Sequence, residues 1–388
     1  MPVIYLDGHA TTLLAPEAAA AMKNAWEVPG NPGSPHAAGA RAAQIVEAGR
    51  TDVAALIGAA PSELIFTSGA TEANNLALLG VARAARAAGT KRRRVLITTI
   101  EHKSVHACAD VLRSEGFQIT HLTVKPNGLV DVDEIGREID ERTLLISIGA
   151  ANGEIGVVQP IGEITALAHQ VGVLVHSDLA QLVGKLACDV VDLDLDYASL
   201  SSHKMYGPVG IGALYIAAGA LAPLPLLVGG GQEKGYRPGT VAHPLVAGFG
   251  AAANLAKRML GQDQLHVQAL ADIFLAALND RQVLWRLNGD NNHRLPGSLN
   301  IQLIGTNADS IVERVAQSLA ISTGSACQSG HFSTSPILRE IGLSEEEQRS
   351  SLRILFCRYN TQSEAHMAAD LVASAVRQER LATGGVIQ

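Results

Sequence analysis

Ser199-Leu-Ser-Ser-His-Lys204-Met-Tyr-Gly-Pro-Val-Gly-Ile-Gly212 sets one lysine between hydroxyls, a histidine and a glycine-rich turn, directly after a strand-like run. A lysine in such a tight, partly desolvated seat gives up its proton more readily than one on a solvated helix face. It is therefore suited to condense with an aldehyde cofactor. Upstream, Val173-Leu-Val-His-Ser-Asp178-Leu-Ala-Gln181 places an acid at the end of an apolar run, where a carboxylate can hold a pyridinium N–H. Pyridoxal phosphate makes both demands on a protein. Taken singly, a surface lysine and a helix-capping aspartate are ordinary features, so the pairing carries the reading.

The same two segments belong to a longer pattern. Short β-branched runs alternate with alanine-rich helical stretches between Glu63 and Ile216: Leu64–Thr67, Val95–Thr98, Ile119–Thr123, Leu144–Ile148, Val173–His176, Tyr197–Leu200 and Ile211–Ile216. That alternation predicts an α/β fold with a mostly parallel seven-stranded sheet covered by helices on both faces. Ligands in such sheets gather beyond the carboxyl ends of the strands, which is where His102, Asp178 and Lys204 fall. Past the glycine-rich Gly229–Gly235, a helical pattern runs from about Pro244 to Met259, followed by a shorter α+β segment. The expected organisation is an N-terminal arm (1–14) packing on a small domain, a large cofactor-binding domain (15–245) and a small C-terminal domain (246–388) carrying a mobile cysteine loop.

Composition is that of an ordinary enzyme. The 388 residues are 47% hydrophobic and 17% charged, enough to bury a large core. A net charge of −7 spread over the chain argues against a dedicated nucleic-acid surface. The basic run Lys91-Arg-Arg-Arg94 reads as a solvated helix-to-strand connection. No apolar stretch approaches a membrane span, and the start lacks the features of a signal peptide, so the expectation is a cytoplasmic protein. Cys108, Cys188, Cys327 and Cys357 are widely spaced and form no C-x-x-C pair, so no disulfide framework and no metal site is expected.

Three further constellations carry chemistry. Thr67-Ser-Gly-Ala70-Thr71-Glu-Ala-Asn-Asn75 follows a strand and opens a helix, so its backbone N–H groups, including that of Ala70, and the Thr71 hydroxyl form a phosphate cradle. In Glu101-His102-Lys103 the imidazole ends a strand, placed to stack on a planar ring and shuttle protons. Ser322-Thr-Gly-Ser-Ala-Cys327-Gln-Ser-Gly-His331 sets Cys327 among small polar neighbours, as a travelling nucleophile requires. Cys108, Cys188 and Cys357 sit in apolar settings where cysteine acts as a small hydrophobe. Arg353 is suited to clamp a carboxylate bidentately.

Leu6–Thr12, Gly30–His36, Phe66–Glu72, Glu101–Lys103, Glu154–Gln159, Ser201–Lys204, Gly229–Thr240 and Gly324–Cys327 together resemble, in order and over nearly the whole chain, the NifS/IscS-type cysteine desulfurases. These are class-V aminotransferase-family enzymes with the type I pyridoxal phosphate fold. The resemblance implies that Lys204 carries the cofactor, Asp178 pairs with its ring nitrogen and Gln181 reaches its phenolic oxygen. It further implies that Thr71, Ser201 and His203 hold the phosphate, joined by Thr240 from a second subunit of a homodimer. His102 would stack on the ring, Arg353 and Asn152 would bind the substrate, and Cys327 would take the sulfur. The implied reaction is a sulfur-mobilising transfer: L-cysteine becomes L-alanine, and Cys327 passes the sulfur as a persulfide to an acceptor such as an iron–sulfur scaffold or a sulfur carrier.

This chain departs from that pattern at several points. Asn152-Gly153-Glu154 stands where Asn-Asn-Glu is usual, which opens a space that water or His9 could fill. Gly8-His9-Ala-Thr-Thr-Leu13 and Phe356-Cys357-Arg358 also differ from the usual Tyr-Ser/Asn-Ala-Thr-Thr-Pro and Leu-Gly-Arg. With no extended tail after Ala382, a specialised role is as compatible as a housekeeping one. Two alternatives stay open: a selenocysteine lyase or related pyridoxal phosphate enzyme, and a weakly active or regulatory cofactor-binding subunit.

Overall fold

The computed structural model describes residues 3–323 and 335–382. Twelve strands are formed among them: β1 (Ile4–Tyr5), β2 (Leu64–Thr67), β3 (Arg94–Thr98), β4 (Gln118–Leu122), β5 (Thr143–Ser147), β6 (Leu174–Asp178), β7 (Tyr197–Ser201), β8 (Gly212–Ile216), β9 (Trp285–Leu287), β10 (Ser298–Leu303), β11 (Leu319–Ala320) and β12 (Ser351–Leu355). Seven of them make one sheet in the order β2-β8-β7-β6-β5-β3-β4. Only β8 runs against the others, pairing antiparallel with both β2 and β7. The expected mostly parallel, helix-covered sheet is therefore present. Its strands are buried along most of their length, which explains why they read as continuous apolar runs rather than alternating ones.

Polar residues inside this sheet are paired. The His176 ring spans three strands, its Nδ1 2.8 Å from Ser147 Oγ and its Nε2 2.9 Å from Ser199 Oγ. Burial pulls its pKa down to about 4, so it lies neutral in the core.

The long helix His243–Asp280 has 38 residues and exceeds the run expected from sequence, Pro244 to Met259, by about six turns. The cause is legible once the element is seen: Val267, Leu270, Ala271, Phe274, Ala277 and Leu278 keep a helical apolar spacing beyond Gly261. Val246, Phe249, Ala253 and Ala256 of this helix pack into the core under the large sheet. From Val267 onward its residues pack into a second core with β10, β12 and the helix Gln362–Ala382. Ile4 and Leu6 belong to that second core, and β1 pairs in parallel with β11. The chain's start thus runs from the second core to the turn after β7, where Thr12 donates to the His203 carbonyl. Among the described residues, no helix is long and apolar enough to cross a membrane.

Candidate active site

The carboxyl ends of β2, β3, β5, β6 and β7 open onto one layer, and five turns deliver side chains to it. After β2 the chain enters a helical run spanning 70–87, with a π-turn at Leu76–Gly80. The turn depends on two glycines. Gly69 has φ +155, and no atom lies within 4 Å of where its β-carbon would be. Gly212 lets that turn cross the sheet, since a β-carbon there would lie 2.7 Å from Gly69 Cα and 2.4 Å from Leu200 O. Ala70 and Thr71 form the first positions of the helix beyond this open space, and Thr71 is exposed.

Asp178 ends β6, paired in register with Ser199. Its Oδ1 accepts from Ala180 N at 2.9 Å and its Oδ2 from Asn74 Nδ2 at 2.7 Å. Asn74 also donates to Ser104 Oγ at 2.9 Å, and Ser104 Oγ lies 2.7 Å from His102 Nδ1. His102 caps the helix Lys103–Ser114, its Nδ1 accepting from Ser104 N at 3.2 Å. A ring nitrogen that accepts a backbone N–H is unprotonated, so the His102 proton resides on Nε2. Glu101 lies beneath, its carboxylate accepting from the Thr98 hydroxyl at 2.6 Å and from Gly149 N. Burial raises its pKa to about 7, with the neighbouring Asp178 charge adding to the rise.

Lys204 ends the short turn after β7. Its ammonium donates to the carbonyls of His9 and Ala10, the latter at 2.8 Å. Burial, followed by the Arg353 guanidinium, pulls its pKa down to about 8, against the opposing charges of Asp178 and Asp7. Lys204, Asp178 and Arg353 therefore share one electrostatic environment. Lys185, which sequence reading passed over, lies beneath them and donates to Gln181 O and Lys204 O, both at 3.0 Å. Burial and the Lys204 charge lower it to about 7. His203 Nδ1 lies 3.0 Å from Thr11 Oγ1, and burial with the nearby Lys204 and Lys185 lowers its pKa to about 4. Ser201 is buried at the end of β7, and the neighbouring buried Ser202 Oγ has no protein partner.

Arg353, on β12, reaches the layer from the second core. Its Nη2 is 2.9 Å from Asp7 Oδ1 and its Nη1 3.3 Å from Gly153 O, while its buried Nε has no partner among the described residues. Asn152 is spent on the local turn: Nδ2 donates to Ile100 O, and Oδ1 accepts from Glu154 N and Ile155 N. The space left by Gly153 lies against the Gln181 side chain. Gln181 occupies it: a β-carbon at Gly153 would lie 2.8 Å from Gln181 Nε2. Gly153 is also not among the residues with positive φ.

Thr240 is exposed and joins no part of this layer within its own chain. Its loop is nonetheless fixed. Buried Glu233 pairs with Arg50 at 2.6 and 2.8 Å and accepts from Phe66 N at 2.7 Å. Arg237 donates to Glu72, on the helix that begins at Ala70, at 2.9 Å. Cys327 lies outside the described residues. Of the other thiols, burial raises Cys108 and Cys188 to about 12 and Cys357 to about 11, leaving them protonated at neutral pH.

An amine of lowered pKa, a carboxylate held by two N–H donors and an open helix start beyond Gly69 form the donor set that pyridoxal phosphate requires. The residues present fit that cofactor.

Comparison with known proteins agrees. Residues 4–367 match the family model described as aminotransferase class-V. The chain is 42% identical over 380 residues to a cysteine desulfurase IscS of Rickettsia bellii, covering 97% of this chain and 92% of the relative. A solved NifS-like protein superimposes with a TM-score of 0.89 at 30% identity, covering 97% of this chain and all of the other. SspA, solved in complex with cysteine, is 34% identical with a TM-score of 0.80, over 92% of this chain and the whole of its own.

Proposed function

The chain belongs to the class-V aminotransferase family, where it is a cysteine desulfurase, and from that premise we propose that it binds pyridoxal phosphate on Lys204 and passes the sulfur of L-cysteine to Cys327. The observation that carries this reading is the convergence of Lys204, Asp178 and Arg353 on one layer, with Lys204 lowered to about 8. A relative solved with cysteine bound supports the substrate.

When bound, the cofactor supplies an aldehyde for the amino group and a ring that takes up the electron pair released at the substrate α-carbon. This chain's residues do the rest. Asp178, fixed by Asn74 and Ala180, would pair with the ring nitrogen. Ala70, Thr71, Ser201 and His203 would hold the phosphate. Arg353 receives the substrate carboxylate, and its unpartnered Nε provides a donor for it. Lys204 accepts the α-proton, because an amine titrating near 8 is partly free at neutral pH. His102 carries a proton on Nε2 for exchange with substrate. The Cys327 thiolate attacks the substrate sulfur, so an S–S bond forms as the Cβ–S bond breaks, and Cβ gains a proton to give alanine. The persulfide then passes its outer sulfur to an acceptor thiol by the logic of disulfide exchange.

We place the enzyme in the cytoplasm, where such a thiol stays reduced. We further propose a homodimer in which Thr240 completes the partner's phosphate site. The apolar residues beside its loop support this: Val228 is 96% and Leu227 52% exposed.

The test is incubation of the purified holoprotein with L-cysteine, measuring alanine and mapping sulfur by mass spectrometry. One extra sulfur on Cys327 and alanine in equal amount are expected. Cys327→Ala should lose both the persulfide and turnover, while Cys357→Ala should keep them. Persulfide on Cys357 instead would overturn the assignment.

A further inference from the structure

The His9 side chain is buried at 2% exposure between two parts of the fold. Its Nε2 lies 2.8 Å from Ser298 Oγ, at the start of β10, and its Nδ1 lies 3.2 Å from Gln181 Oε1. Gln181 Nε2 in turn donates to the His9 carbonyl at 3.0 Å. Both ends of one amide are thus bonded to a single residue.

The chemistry of these atoms permits one arrangement. Gln181 Oε1 can only accept, so His9 Nδ1 must carry the proton, and Nε2 must accept from the Ser298 hydroxyl. Flipping the Gln181 amide would set oxygen against oxygen at the His9 carbonyl, a clash that no change of imidazole tautomer relieves. Burial keeps the ring neutral, and Arg353, Lys185 and Lys204 add to that effect, so the arrangement does not invert as pH falls toward neutrality. The Lys204 ammonium donates to the same His9 carbonyl as the Gln181 amino group. The two nitrogens therefore converge on one oxygen.

Gly153 is the other half of the device. A β-carbon at this position would lie 2.8 Å from Gln181 Nε2, 3.2 Å from Cδ and 3.3 Å from Cγ, so any side chain would move the amide. Two departures of this sequence from its relatives' pattern, His9 and Gly153, thus meet on one glutamine.

We propose that His9 is a positioning residue which, in the room left by Gly153, locks the Gln181 amide with its NH2 group facing the cofactor beside Lys204. The inference rests on the functional reading above. A donor is the group that an anionic ring oxygen requires, and the lock excludes the alternative in which Gln181 presents its carbonyl oxygen.

The test measures pyridoxal phosphate affinity and the pH midpoint of the visible absorbance of the holoprotein for wild type, His9→Leu, His9→Asn, Gly153→Ala and Gln181→Leu. His9→Leu should weaken cofactor binding about tenfold or more and shift the midpoint, the scale of one hydrogen bond to a charged group. His9→Asn, whose amide can donate from near the Nδ1 position, should restore most of both. In the Gln181→Leu background, His9→Leu should add little, because its action passes through the glutamine. Gly153→Ala, which reaches the same amide from the opposite side, should reproduce the shift even where His9→Leu does not fold. A shift of equal size in the Gln181→Leu background, or an unshifted and folded Gly153→Ala, would overturn the proposal. A wild type that takes up no cofactor would overturn the functional reading itself, whereas a loaded wild type with an unchanged His9→Leu would overturn the lock alone.

Discussion

Arg353 Nη2 lies 2.9 Å from Asp7 Oδ1, so the arginine is ion-paired with the N-terminal arm of the protein itself. Asp7 Oδ1 also accepts from Ser322 Oγ at 3.2 Å. The arginine is thereby oriented and partly neutralised. Asp7 raises the Lys204 pKa while Arg353 lowers it. Asp7→Asn should therefore lower the Lys204 titration midpoint in the apoprotein, and Arg353→Ala should raise it. Competitive acylation of Lys204 as a function of pH would measure both directions. Arg353→Ala should also weaken cysteine binding by about 10- to 100-fold, the scale of hydrogen bonds to a charged group.

The two buried lysines give the apoprotein a pH-dependent stability. Lys204 titrates near 8 and Lys185 near 7 in the folded chain, against 10.5 unperturbed. Above these values the unfolded chain holds more protons than the folded one, so stability rises with pH. The gain should begin near pH 7 and continue toward 10.5, and between pH 7 and 9 it should amount to about 3–4 kcal/mol, because Lys185 sheds nearly all of its proton and Lys204 most of it over that span. Denaturant unfolding at pH 7, 8 and 9 should show the midpoint increasing. Lys185→Met should flatten the rise while lowering stability at pH 9, because the Gln181 and Lys204 carbonyls lose their donor.

Asn74 should matter to cofactor retention without touching the cofactor. It is fully buried, and its Nδ2 serves both Asp178 and Ser104. Asn74→Leu removes one of two donors to Asp178 and the link to the His102 side, at a cost of about 1–3 kcal/mol. Dialysis of the loaded protein should show about ten- to hundredfold weaker retention, with the secondary structure intact by circular dichroism.

Much of this was legible in the sequence. Strand runs such as Leu64–Thr67 coincide with β2 because a parallel sheet buried on both faces leaves an unbroken apolar signature. Lys204, Asp178 and His102 stood out because each ends such a run. Asn74, Ser104 and Lys185 did not, since a polar residue inside a helix or turn reads as a solvated face until the packing shows what covers it. The long helix was cut short at Met259 because Gly261 and the polar Gln262–Gln264 interrupt the pattern on the face that changes from one core to the other. The space at Gly153 was visible as a departure, but its occupant was not. Gln181 fills it only because the N-terminal arm brings His9 across from the second core, a contact separated by 172 positions in sequence.

Lys204, and not the neighbouring Lys185, is the lysine proposed to carry the cofactor. Lys185 has the lower pKa of the two and each ammonium donates to two backbone carbonyls, but it is Lys204 whose titration the Asp178 carboxylate influences. Borohydride reduction of the pyridoxal phosphate-loaded protein followed by peptide mapping decides between them. The reduced cofactor is expected on Lys204, with Lys204→Ala leaving no stable adduct. An adduct on Lys185, or on any other lysine of the loaded wild type, would contradict it.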